Sequence, residues 1–132
     1  RHVLVYNGDI TGPEFFGTLQ NRFPEIRRFM IGRGVLANPF LPSQIQGISR
    51  DPGQDLDVLR AFHDDLFEAY SLSLKSPVHL TGRMKGIWSF LALSFDDCRK
   101  ALKRIHKSEQ VQDYAAAVDH FFHGKPQFNP LD

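Results

Sequence analysis

A three-residue apolar run, Phe29-Met30-Ile31, stops at Gly32-Arg33-Gly34, and no other stretch of the chain restricts its fold as tightly. Consecutive apolar residues suit a strand buried on both faces, since a half-exposed strand alternates. The two glycines allow a tight turn and close backbone approach. The arginine between them is a forked, permanently charged anion donor. Pro39, after Val35-Leu36-Ala37-Asn38, suits the first turn of a short helix over residues 40–46. Strand, glycine turn and helix start together form a recurrent phosphate grip, because backbone N–H groups and the helix dipole face the anion. Alone, Gly-Arg-Gly is more often a plain turn.

The upstream segment changes that balance. Val3-Leu4-Val5-Tyr6 is a second short strand, and it ends in Asn7-Gly8-Asp9-Ile10. Between the two strands, Pro13-Glu14 opens a helix with proline at its first position and an acid in its first turn. Phe15, Phe16, Leu19 and Phe23 recur on it at helical spacing, and Pro24 ends it. Strand, helix and strand make a βαβ unit, which sets both polar turns side by side on one edge.

In order and spacing, Asn7-Gly8-Asp9-Ile10, Met30-Ile31-Gly32-Arg33-Gly34 and Asn38-Pro39 resemble the end of the barrel in the tRNA-dihydrouridine synthases, flavoenzymes that reduce uridine in tRNA. The resemblance covers about the first third of the chain. It implies FMN contacts at Asn7, Gly8, Asp9, Gly32 and Arg33, NADPH as reductant, and tRNA as partner. It also implies a fold that is α/β plus all-α: the last two β/α units of a TIM barrel followed by a four-helix bundle. Residues 1–48 are then the end of an FMN-binding barrel domain, residues 49–55 a linker, and residues 56–132 a tRNA-binding helical domain. An eightfold barrel takes ~200 residues or more, so a chain of 132 residues has room for two of its strands. The rest of the barrel, the catalytic cysteine and the NADPH-facing loops are expected upstream of Arg1. The chain alone is expected to be inactive.

From Leu56 onward the pattern is helical. Leu59, Phe62, Leu66 and Tyr70 form one stripe, and Leu80, Met84, Ile87, Leu91 and Phe95 a second, opened by Ser76-Pro77. Ser94-Phe95-Asp96-Asp97 resembles a capping box for a third helix carrying Cys98, Ala101, Leu102 and Ile105. Ser108 is expected to cap a fourth, lined by Val111, Tyr114, Ala115, Val118, Phe121 and Phe122, with Gly124 and Pro126 at its end. Short loops between such helices predict an antiparallel bundle.

The net charge of +1 leaves the total uninformative about nucleic acid, but the distribution is uneven. Arg83, Lys85, Arg99, Lys100, Lys103, Arg104 and Lys107 fall in one stretch against Asp96 and Asp97, while the acids gather in the preceding helix. That stretch is either a solvated outer face or a track for a phosphate backbone; the family resemblance favours RNA. The six histidines show no ligand spacing, so surface or helix-end roles are expected and no metal site. Cys98 takes the place of a small buried residue and is not the catalytic acid. A single cysteine forms no internal disulfide and fits a cytoplasmic protein. No apolar run approaches the ~20 residues that span a bilayer. Two other readings use the same residues: a different FMN-dependent barrel oxidoreductase, and a stand-alone helical RNA-binding or interaction module.

Overall fold

The structure, a computed structural model, describes residues 2–130. Arg1, within the expected barrel end, and residues 131–132, within the expected helical domain, lie outside the described residues. The chain divides into two compact units between Arg50 and Asp51.

The first unit runs β1 (Val5–Asn7), α1 (Pro13–Arg22), β2 (Arg28–Met30), α2 (Arg33–Ala37), α3 (Leu41–Ile45). Pro13 opens α1, Glu14 sits in its first turn and Arg22 in its last, as the helix dipole favours. The strands are parallel, with Val5 opposite Arg28, Tyr6 opposite Phe29 and Asn7 opposite Met30. Ile10, Leu19 and Leu41 form the core, with Tyr6, Phe16, Phe23, Phe29, Ile31 and Ile45 packed around them. Buried Asn38 joins α2 to α3: its Oδ1 accepts from the Phe40 amide at 3.1 Å and its Nδ2 donates to Gln44 Oε1 at 2.8 Å. Gly47, at φ 71°, ends α3 in a left-handed turn where the Ile48 amide reaches back to the Ser43 carbonyl.

The second unit, Asp51–Asn129, contains α4 (Asp55–Ser73), α5 (Pro77–Leu91), α6 (Arg99–Lys107) and α7 (Val111–His123). A 3₁₀ turn over Pro52–Gln54 leads into α4, and another over Ala92–Ser94 follows α5. Leu59, Met84, Trp88, Leu91, Ile105, Tyr114 and Val118 are almost wholly buried. Removing such side chains from water contributes roughly 1.5–3 kcal/mol each. Phe121 meets Trp88 and Phe95 edge-to-face at 4.9 and 5.0 Å, and Phe128 extends the cluster from the C-terminal tail.

The expected TIM-barrel end followed by a four-helix bundle does not form. Among the described residues the chain is predominantly helical, with seven α-helices and only two three-residue strands. Those strands alternate exposed, half-buried, exposed. α1 aromatics cover only the Tyr6–Phe29 face, so Val5 and Met30 stay exposed. In the second unit, helices of 19, 15, 9 and 13 residues are too unequal for a regular bundle. Instead, α5 packs against α4, α6 and α7.

Two caps also differ from expectation. Ser94 is buried in a 3₁₀ turn, because the C-terminal tail takes the backbone around it. Phe95 and Phe128 form an antiparallel bridge, the Asp96 amide donates to the Gln127 carbonyl, and the Asn129 amide donates to the Ser94 carbonyl. The third helix therefore starts at Arg99. Ser108 ends α6 rather than opening α7, its hydroxyl donating to the Ile105 carbonyl at 2.6 Å.

Candidate functional site

The parallel register brings the turns after β1 and β2 to the same edge of the strand pair. Asn7 ends β1, with Gly8 and Asp9 next, while Gly32 and Arg33 follow β2. Arg33 Nη2 donates to Asp9 Oδ1 at 2.6 Å, across 24 positions of sequence. Both side chains are about two-thirds exposed, at 66% and 64%. An exposed pair of this kind contributes roughly 0.2–1 kcal/mol, so it orients the guanidinium more than it holds the fold.

Backbone fit sets the approach of the turns. A Cβ on Gly34 would lie 2.0 Å from the Ile10 carbonyl oxygen, so only glycine lets α2 start this close to the first turn. Gly8 sits under the Tyr6 ring, whereas a Cβ on Gly32 would meet open space. Arg33 is the first residue of α2, a helix of five residues, and not part of a turn before Pro39. What the edge offers an anion is therefore one exposed guanidinium, with N–H donors beyond the one given to Asp9, beside an exposed amide side chain. The Asp9 carboxylate opposes a phosphate, so any anion must share Arg33 with it.

The predicted basic residues separate into groups. Lys100, Lys103, Arg104 and Lys107 recur at i, i+3, i+4 and i+7 and line a groove of about 440 Å³ against Ser108, Asp113 and Ala116. Arg99 is exposed on an adjoining flank of the same helix. Lys85 is turned inward: its ammonium donates to the Ser108 carbonyl at the C-terminal end of α6, where a cation is favoured. Arg83 lies 5.8 Å over the Tyr70 ring and borders a separate groove with Leu74, Val78 and His79. Cys98 is half-buried just before α6, its thiol donating to the Ala92 carbonyl at 3.2 Å.

Sequence reasoning missed a buried polar chain in the second unit. His63, expected at the surface, is 5% exposed. Its Nδ1 lies 2.8 Å from Asp64 Oδ1 and its Nε2 2.6 Å from Tyr114 Oη. Trp88 Nε1 donates to that same hydroxyl at 2.9 Å. Arg60 bonds Asp64 at 3.0 Å and Asp119 at 2.6 Å, tying α4 to α7. Burial pushes the His63 pKa down despite the Asp64 carboxylate beside it, and pushes the Tyr114 hydroxyl far up. Burial alone would raise Asp64, but hydrogen bonds from His63 and Arg60 outweigh it and hold the carboxyl below its usual range. The available signal was spacing: His63 stands at i+4 from Leu59 on the apolar stripe of α4.

Among the described residues no group of histidines, cysteines and acids could hold a metal ion, and no helix is long and apolar enough to cross a membrane. Comparison with protein-family models and with curated proteins returns no match for this chain.

Proposed function

We propose that this chain is part of an FMN-dependent tRNA-dihydrouridine synthase, in which Asn7, Gly8, Asp9, Gly32 and Arg33 hold the flavin phosphate and α6 docks tRNA. The observation that carries the reading is the 2.6 Å contact between Asp9 and Arg33, which joins two turns 24 residues apart on one edge and leaves the guanidinium exposed there. When bound, FMN supplies the hydride chemistry that reduces the C5–C6 bond of uridine, with NADPH as the source of electrons. Arg33 carries the charge for the phosphate, and Gly34 permits the close backbone approach of the two turns. The cations of α6 offer a phosphate-backbone contact that needs no base recognition.

The test is a nuclear magnetic resonance titration of the chain with FMN and, separately, with riboflavin. Without the rest of the barrel the chain is expected to bind FMN poorly, so the ligands are used in large excess. FMN should then shift the amides of Gly8, Gly32 and Gly34, riboflavin at the same excess should not, and Arg33→Ala should abolish the response. Equal shifts from both compounds, or none from FMN, overturn the phosphate grip.

A further inference from the structure

The buried chain in the second unit has one internally consistent set of protons. The Trp88 indole can only donate, so Tyr114 Oη accepts from it and its own proton is directed elsewhere. His63 Nε2, 2.6 Å away, is the acceptor for that proton. Nδ1 then carries the ring proton and donates to Asp64, which Arg60 holds from the other side. No buried side-chain nitrogen or oxygen among the described residues is left without a partner. The order Trp88, Tyr114, His63, Asp64 therefore runs in one direction only, through α5, α7 and α4.

We propose that His63 is an acid-sensitive latch between these three helices: a proton taken from solvent onto Nε2 reverses the His63–Tyr114 hydrogen bond and loosens α7 from α4 and α5. Once Nε2 carries a proton it can only donate. Tyr114 Oη then accepts from both Trp88 and His63, and its own O–H is left buried without an acceptor. The charged groups facing the ring are Arg60 and Asp64 on α4 and Asp119 on α7; α5 contributes the uncharged Trp88 indole. Asp64 and Asp119 favour the protonated ring, Arg60 opposes it, and burial outweighs the acids.

The direction in pH follows. A histidine whose folded pKa is depressed contributes stability that is complete above its unfolded value of about 6.5 and declines as pH falls below that. The remaining histidines, His2, His79, His106, His120 and His123, are all exposed.

The experiment compares wild type with His63→Gln in urea at pH 7.5 and 5.5, followed by fluorescence of Trp88, the chain's single tryptophan. Glutamine keeps an acceptor near Nε2 but does not titrate. Between those pH values the folded-to-unfolded ratio of wild type should fall by about three- to tenfold more than that of the variant. Equal falls overturn the latch. Should the variant fail to fold, imidazole nitrogen resonances of wild type decide: His63 should be protonated at Nδ1 and titrate below 6.5. An Nε2–H tautomer, or a midpoint at or above 6.5, overturns the proposal. Neither measurement involves flavin or RNA, so the outcome is independent of the function proposed above.

Discussion

Arg33 and Asp9 meet at 2.6 Å on the solvent side of a strand pair only three residues long, where neither side chain is buried. Water screens such a contact well, so its thermodynamic weight is small and its value lies in where it holds the guanidinium. A double-mutant cycle with Asp9→Ala and Arg33→Ala should give a coupling of about 0.5 kcal/mol at low salt. In 1 M NaCl, where the screening length is about 3 Å, the coupling should vanish. A coupling that survives high salt would mean the pair is shielded from solvent.

Gly34 has a larger stake in the same edge. Alanine would place its Cβ 2.0 Å from the Ile10 carbonyl oxygen, a backbone atom that cannot swing aside, with the Leu41 side chain also in contact. Overpacking of this sort costs about 1–3 kcal/mol. Gly34→Ala should therefore speed hydrogen exchange of the Asn38 amide, which donates to the Gly34 carbonyl at 2.8 Å. Gly32→Ala, whose Cβ meets open space, should leave exchange near the wild-type rate. Similar effects from the two substitutions would contradict the geometry.

These two glycines show what was legible in the sequence and what was not. Gly32-Arg33-Gly34 after an apolar run pointed to a turn that faces the one at Asn7-Gly8-Asp9, and the parallel pairing of Val5–Asn7 with Arg28–Met30 brings the turns together. Which glycine is sterically required depends on Ile10, 24 positions away, and spacing carries no such information. The helix expected over residues 40–46 is α3, whereas the stretch before Pro39 that reads as a turn winds into α2, and buried Asn38, bonded to the Phe40 amide, separates the two. The same limit applies to caps. Ser94 and Ser108 have cap-like neighbours, yet strand-like pairing with residues 127–129 claims the first, and the end of α6 claims the second. Local chemistry marks candidates, and long-range pairing selects among them. Fold class was misread for a related reason: runs such as Phe29-Met30-Ile31 look buried on both sides, but only their inner face is covered by α1 aromatics.

Tyr114 tests the buried chain without changing any charge. Tyr114→Phe keeps the ring but removes the hydroxyl, leaving Trp88 Nε1 and His63 Nε2 unpartnered in the interior. Each stranded polar group costs about 1–3 kcal/mol. The variant should lose about 3 kcal/mol in urea unfolding followed by Trp88 fluorescence. A loss below about 1 kcal/mol would show that the hydroxyl contributes little beyond what water replaces.

The basic residues divide by what they touch, and that division predicts their behaviour toward RNA. Lys100, Lys103, Arg104 and Lys107 line one groove, so each cation that meets a phosphate should contribute about one unit to the slope of log affinity against log salt. Lys103→Gln with Lys107→Gln should weaken tRNA binding and flatten that slope by about two, measured by fluorescence anisotropy from low to moderate salt. Lys85 supplies the control. Its ammonium is committed to the Ser108 carbonyl, so Lys85→Met should lower stability while leaving the salt slope unchanged. An unchanged slope in the Lys103/Lys107 variant would mean that the face is only a solvated surface, and tRNA docking on α6 would fall with it.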